Sequence, residues 1–246
     1  MRGEGDHLLD SLDEMLTLAE QAEVAVHISH LKVTGRTNWG SISNALERIE
    51  NARARGLSIT ADMYPYTAGS TTMTQLMPPW ALEGGMKHML KRLHDPAVQR
   101  QITQDFIDGI PGWENQVGAL GWERISLSSV QREEHRVLEG LNMAEVAERL
   151  GLSPVEAFFH LMLTEEGQIT IIVFSMDERD VDAAIQAPFT MLGSDGLPIL
   201  SGRPHPRLYG TFPRFIRRYV RELKSLKLEQ ALSKITMFPA ARFGIA

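Results

Sequence analysis

Two short stretches place side chains that can bind a metal or transfer a proton directly after apolar runs. The stretch VAVHISHLKV, residues 24–33, begins as a buried-strand pattern and ends in His30 and Lys32. The stretch MLGSDGLP, residues 191–198, carries Asp195 just past another apolar run. In a parallel α/β barrel the C-terminal ends of the strands form the active site. An imidazole and a carboxylate at such ends predict a metal-assisted hydrolase site.

The alternation of side chains along a strand predicts which way these side chains point. If residues 24–30 form a strand, His30 and Lys32 share one face and lie roughly 7 Å apart. They would then point into the mouth of the barrel, whereas His27 would pack toward the surrounding helices. Taken alone, His30 could equally be a histidine satisfied by a backbone carbonyl. Asp195 alone could equally be an Asx turn or a helix cap.

Two further polar residues are candidates for substrate contact. Tyr64 ends the strand predicted over 57–64, where it could line a pocket or be an ordinary strand-end aromatic residue. Arg207 lies in the proline-rich segment 201–212, and a guanidinium fork there suits recognition of a carboxylate. A surface loop is the alternative interpretation of this segment. The sequence contains no phosphate-binding loop, dinucleotide fingerprint or nucleophile elbow.

The elements that must position these residues alternate between strand and helix. Amphipathic helical patterns follow or precede each of four predicted strands, at 24–30, 57–64, 169–174 and 189–193. Such alternation is typical of parallel sheets built from crossover units. Four strands of this kind fit half of a (β/α)₈ barrel better than a complete doubly wound sheet. The predicted fold class is therefore α/β, as a partial TIM-like barrel that holds the C-terminal four strands.

One long segment interrupts the alternation. Residues 67–140 contain several Gly and Pro pairs and only short helical patterns, which predicts an inserted lid. The sequence thus divides into barrel β/α units at 1–66, the lid at 67–140, and barrel units with C-terminal helices at 141–246.

Composition excludes several classes of protein. The 246 residues carry a net charge of −6 and no basic stripe interleaved with aromatic residues, which argues against nucleic-acid binding. No apolar run approaches the roughly 20 residues needed to span a bilayer. The absence of cysteine excludes disulfides and thiolate metal ligands, and it fits a cytoplasmic protein.

Five blocks in fixed order add a resemblance to these inferences. They are HISHLKVTGRTNWG, DMYPYTAGST, MLGSDGLP, GRPHPRLYGTFPR and KITMFPAARFGI. Together they resemble the N-acyl-D-amino-acid deacylase (D-aminoacylase) family of the amidohydrolase superfamily, over nearly the whole chain. The resemblance implies a TIM-like barrel beside a small β-sandwich, zinc as the metal, and hydrolysis of the amide of an N-acyl-D-amino acid.

The resemblance also implies roles for individual residues. His30 matches the family's metal-binding histidine, and Asp195 matches the aspartate that lies by the metal and acts as the base. Lys32, Tyr64 and Arg207 match polar positions of the substrate pocket.

The family's remaining metal ligands have no counterpart in this sequence. The HxH pair, a metal-binding cysteine and a histidine just before the MRxEG segment are all missing. We therefore expect the C-terminal half of such an enzyme, with weak or absent zinc binding, no turnover alone, and self-association through exposed barrel edges. Two alternatives stay open. One is a catalytically dead half-barrel that oligomerises or pairs with another chain. The other is an amidohydrolase with dihydroorotase-like or hydantoinase-like chemistry.

Overall fold

A computed structural model of the chain describes residues 1–199 and 201–245. The fold is mixed α/β and divides into two compact units. Unit 1 comprises Met1–Thr67, Met176–Leu197 and the chain from Pro206 onward, and unit 2 comprises Ala68–Ser175 and Pro198–His205. Within the described residues, no helix is both long and apolar enough to cross a membrane.

The described residues form strands and helices in the following order along the chain. The strands are β1 (Val26–Ile28), β2 (Ile59–Met63), β3 (Gly69–Thr72), β4 (Ile125–Ser129), β5 (Thr170–Val173) and β6 (Thr190–Leu192). The helices are α1 (Leu8–Gln21), α2 (Ile42–Ala54), α3 (Pro79–Leu82), α4 (Met86–Leu93), α5 (Pro96–Asp108), α6 (Gln116–Leu120), α7 (Met143–Leu150), α8 (Pro154–Thr164), α9 (Glu178–Gln186), α10 (Arg207–Phe215), α11 (Leu228–Ile235) and α12 (Met237–Phe243). A π-helical segment, Ile216–Glu222, continues directly from α10.

Unit 1 is built on a parallel sheet with the strand order β1-β2-β6. Both helices contribute an apolar face to the buried core that contains Ile28 of β1. The face of α1 includes Leu8 and Leu12, and the face of α2 includes Ala45 and Ile49. This burial confirms the two helices that the periodic patterns predict. Since all three strands run the same way, their C-terminal ends lie along one edge of the sheet.

Unit 2 contains an antiparallel sheet with the strand order β3-β5-β4. Its separate core includes a group of aromatic rings in which Phe158 contacts Phe106 edge-on and Trp122 at a tilt. Because β5 pairs antiparallel with both β3 and β4, the prediction that 169–174 is one of four parallel barrel strands is wrong. A continuous apolar run such as ITIIVF fits any fully buried strand, and the run itself does not indicate the direction of the neighbouring strands.

The structure also moves the predicted end of the first strand. The strand predicted over 24–30 ends at Ile28, and His30 lies in a turn with φ +44°. The extent of the lid, predicted over 67–140, stays a prediction, and unit 2 as a compact body runs from Ala68 through β5 to Ser175 and includes Pro198–His205. Local composition marks where the β/α alternation stops, but compactness depends on contacts between distant segments.

Candidate functional site

The predicted site residues follow the strands of the unit 1 sheet. His30 lies two residues after β1, Tyr64 directly follows β2, and Asp195 lies three residues after β6. Lys32 and Arg207 reach this edge from the chain after β1 and from the first turn of α10. The described contacts group these residues into two charged clusters, one around His30 and the other around Arg207.

The first cluster contains Glu4, His30 and Lys32. The Glu4 Oε1 atom lies 2.9 Å from His30 Nδ1 and accepts a hydrogen bond of 2.5 Å from Lys32 Nζ. Lys32 Nζ lies 2.7 Å from His30 Nδ1. All these contacts use the Nδ1 side of the ring, and His30 Nε2 has no hydrogen-bond partner within residues 1–199 and 201–245. This leaves Nε2 as the atom that could bind a metal or a substrate.

Glu4 is the member of this cluster that our reasoning from the sequence missed. Burial raises the pKa of this carboxyl, but the hydrogen bond from His30 and the charge of Lys32 outweigh burial and lower the pKa to about 2. Glu4 is therefore a carboxylate at every pH near neutrality. The one signal for it is its place in the MRGEG segment, because no periodic pattern links residue 4 to residues 30 and 32.

Asp62 of β2 fixes the turn that carries His30. Its Oδ1 accepts a 2.7 Å hydrogen bond from the backbone N–H of His30, and its backbone carbonyl accepts one of 2.9 Å from Leu31. The positive φ of His30 is uncommon for a residue with a side chain. The two hydrogen bonds from β2 therefore hold this histidine in a conformation that its local sequence alone would not favour.

His27 lies on the opposite face of the sheet from Ile28, which belongs to the core that contains α1 and α2. Its Nδ1 is 2.8 Å from Thr60 Oγ1 and its Nε2 is 2.9 Å from Asp62 Oδ2. The expected packing of His27 against a helix is seen at α12, where its ring contacts that of Phe243 edge-on at 5.4 Å between centroids. His27 does not face the core of α1 and α2, because Ile28 occupies that side of β1.

The second cluster joins Asp195, Arg207 and Tyr64. Arg207 Nη1 lies 2.9 Å from Asp195 Oδ2, and the guanidinium lies over the Tyr64 ring at 4.7 Å from its centroid. The side chain of Arg207 is 3% exposed and that of Asp195 is 36% exposed. A buried cation thus orients a carboxylate that remains accessible from solvent.

Charges of both clusters act on Tyr64. Burial raises the pKa of its phenol, the charge of Arg207 opposes this effect, and the charges of Asp195 and Glu4 raise the pKa further. Tyr64 therefore stays a neutral phenol that can donate a hydrogen bond.

That His30 and Asp195 act on one substrate stays a prediction.

Zinc takes three or four protein ligands in most sites. In the part of the chain that the structure describes, no group of three or more His, Cys, Asp or Glu side chains could hold a metal ion. His30 Nε2 fits one ligand position, while Asp195 is paired with Arg207. These residues do not make up a complete zinc site.

No protein-family model matches the chain. Curated relatives do match it over its whole length. The chain is 34% identical over 246 residues both to the N-acyl-D-glutamate deacylase and to the D-aminoacylase of Alcaligenes xylosoxydans xylosoxydans, and it covers 40% of each. It is 29% identical to the N-acyl-D-aspartate deacylase of the same organism, of which it covers 39%. The chain therefore spans about two fifths of the length of these relatives.

Solved structures give the same result. A crystal structure of D-aminoacylase superposes with a TM-score of 0.71 at 32% identity, over all of this chain and 41% of that one. The N-acyl-D-glutamate deacylase of Bordetella bronchiseptica, complexed with zinc and a phosphonate mimic of the tetrahedral intermediate, superposes with a TM-score of 0.74 at 30% identity. The chain covers 42% of that structure. Both similarities extend over unit 1 and unit 2, since each includes the whole chain.

Proposed function

We propose, from the homology of the whole chain to a part of the N-acyl-D-amino-acid deacylases, that it supplies part of the site of such an amidohydrolase. The reaction would hydrolyse the amide of an N-acyl-D-amino acid to a carboxylate and a free D-amino acid. The observation that carries the proposal is the placement of both charged clusters at the C-terminal edge of one parallel sheet. In this proposal the parallel sheet of unit 1 and its helices form a segment of a TIM-like barrel.

Asp195 is the residue we assign to proton transfer. Its carboxylate is the more exposed partner of its ion pair, so an attacking water can reach it. It would take a proton from that water and pass it to the leaving nitrogen. The buried Arg207 holds the aspartate in one orientation, which favours a fixed path for the proton.

Lys32, Tyr64 and Arg207 provide the positive charge and the neutral donor that would hold the substrate carboxylate. Lys32 and Arg207 are both largely buried, so a carboxylate near them would meet little competing water. Tyr64 is a neutral phenol at neutral pH and can therefore donate a hydrogen bond. Holding the carboxylate in this way would orient the scissile amide toward Asp195.

Zinc is the metal we propose, with His30 as one ligand. A bound zinc ion would make its water more acidic and polarise the amide carbonyl. Since the described residues offer no group of three ligands, the chain alone is expected to bind zinc weakly and to give no turnover. Other ligands would have to come from a polypeptide segment other than these 246 residues, since Leu200 and Ala246, the two residues outside the described ranges, have no side chain that binds zinc.

A chimera tests the assignment directly. The chain would replace the matching 40% of the Alcaligenes D-aminoacylase, and the release of free D-amino acid from acetyl-D-amino acids would be measured together with zinc content. We expect turnover by the chimera, loss of turnover in the Asp195→Asn variant, and loss of zinc in the His30→Ala variant. The exposed Asp10→Asn variant serves as the matched control and should keep full activity.

Three outcomes would contradict the proposal. Stoichiometric zinc after dialysis and turnover by the isolated chain would show that its own residues complete the site. Opening of dihydroorotate or hydantoin rings by the chimera, without release of a D-amino acid, would favour the other amidohydrolase chemistry. A folded, zinc-loaded chimera without any activity would favour a catalytically dead half-barrel.

We also infer self-association, because the C-terminal helices of unit 1 expose large apolar side chains. Leu228 and Leu232 of α11, and Met237 and Phe243 of α12, are each between 44% and 73% exposed. Large apolar side chains exposed together on two consecutive helices are typical of interaction sites. Sedimentation velocity should therefore show mass that increases with concentration, and the Leu232→Glu variant should remain monomeric. A wild-type chain that stays monomeric at high concentration would refute this inference.

A further inference from the structure

A separate concave region of unit 1 lies beside α10 and the π-helical segment. We call it the arginine pocket, and Tyr66, Pro213, Arg214, Arg217 and Glu222 are among the residues that line it. Its volume is about 500 Å³, which is within the range of pockets that hold small molecules. None of the five residues assigned to the deacylase site lines this pocket.

Two contacts orient the guanidinium of Arg214 in the pocket wall. Its Nε donates a 2.6 Å hydrogen bond to the carbonyl of Pro65, and its Cζ lies over the Tyr66 ring at 4.9 Å from the centroid. Gly210 allows Tyr66 to approach α10, since a Cβ at that position would lie 2.7 Å from the Tyr66 hydroxyl. Within residues 1–199 and 201–245 the two terminal nitrogens of Arg214 have no hydrogen-bond partner.

Arg217 adds a second cation one helical turn away. Its Nε donates a 2.6 Å hydrogen bond to Glu222, and its terminal nitrogens have no other partner within the described residues. The neighbouring Arg218 is already neutralised by Asp182 and Glu178, which lie 2.8 and 3.1 Å from its Nη2. Three arginines therefore line the pocket, and with Arg218 neutralised by its own carboxylates, Arg214 and Arg217 face the single lining carboxylate of Glu222.

We propose that the arginine pocket binds a small dianionic oxyanion of the phosphate-monoester class. A planar guanidinium with both terminal nitrogens available matches two oxygens of such a group. A single carboxylate can pair with one guanidinium only, whereas a dianion can bind the guanidinium groups of Arg214 and Arg217 together. Because Arg214 is fixed by Pro65 and Tyr66, little conformational entropy is lost on binding.

Titration with inorganic phosphate and with phenyl phosphate, at constant ionic strength, tests this proposal by calorimetry. We expect saturable binding to the wild-type chain and a loss of at least about tenfold in affinity for Arg214→Gln, which removes a charge-assisted fork. The Arg214→Lys variant keeps the charge but loses the fork, so it should also bind more weakly. Arg221→Gln is the matched control, since Arg221 lies in the same π-helical segment but does not line the pocket.

The Glu222→Gln variant gives a test that misfolding cannot imitate. Removal of this carboxylate abolishes repulsion of the anion and releases Arg217, so binding should tighten by several-fold. The proposal is overturned if phosphate shows no saturable binding, or if Arg214→Gln and Arg221→Gln weaken it equally. It is also overturned if Glu222→Gln weakens binding, or if acetate binds as tightly as phosphate.

Discussion

Glu4→Gln is the substitution whose effect on unit 1 has the most specific expected pH dependence. Folding lowers the pKa of Glu4 from its ordinary value of 4.5 to about 2. At 1.36 kcal/mol for each pH unit, this difference corresponds to about 3 kcal/mol of stability at pH 7. The Glu4 side chain is 23% exposed, so solvent screening reduces the expected loss in the free energy of unfolding to about 2 kcal/mol.

The pH dependence of this effect has a defined sign. Because the pKa is lower in the folded state, the unfolded state binds more protons between pH 4.5 and about 2. The stabilisation by Glu4 is therefore complete above pH 4.5 and is lost as the pH falls toward 2. Glutamine does not titrate, so the difference in the free energy of unfolding between the two proteins should shrink over the same interval.

Hydrogen exchange followed by mass spectrometry measures this effect in unit 1 alone, because peptides that cover β1 and β2 contain no residue of unit 2. The comparison should be made at pH 7 and again near pH 3. Glu14→Gln is the control, since Glu14 pairs with Arg2 on the surface and its loss should change protection far less. Equal effects of the two substitutions, or an effect of Glu4→Gln that does not depend on pH, would refute the reasoning.

Three further substitutions test other parts of the structure. Burial lowers the pKa of Lys234 to about 8, so the wild-type free energy of unfolding should rise between pH 8 and 10.5, and Lys234→Met should remove that rise in a urea titration. His27→Ala removes the contacts with Thr60 and Asp62 and should cost about 1–3 kcal/mol, with lost exchange protection at β2; unchanged protection would contradict this. Phe158→Ala leaves a cavity among the aromatic rings of unit 2 and should lower the free energy of unfolding by about 3–5 kcal/mol. Hydrogen exchange should increase in peptides of unit 2, and an increase confined to unit 1 would contradict this.

Local patterns determined much of the secondary structure. The 3.6-residue spacing of apolar residues predicts α1 and α2, because a helix without tertiary partners already presents these side chains on one face. The capping box at the start of α8 likewise joins Ser153 to Glu156, three positions further along the chain. These features depend on residues a few positions apart, so the sequence alone contains the information that they require.

The tertiary structure decided which distant residues meet. The sequence indicated His30 and Asp195 as polar residues after apolar runs, but it did not indicate that Glu4 binds His30 or that Arg207 binds Asp195. The direction of β5 likewise depends on β3 and β4, which pair with it from far along the chain. Ion pairs and strand pairing form between segments whose approach is set by the packing of whole elements. Spacing along the sequence fixes which side chains share a face, and only the fold fixes what lies opposite that face.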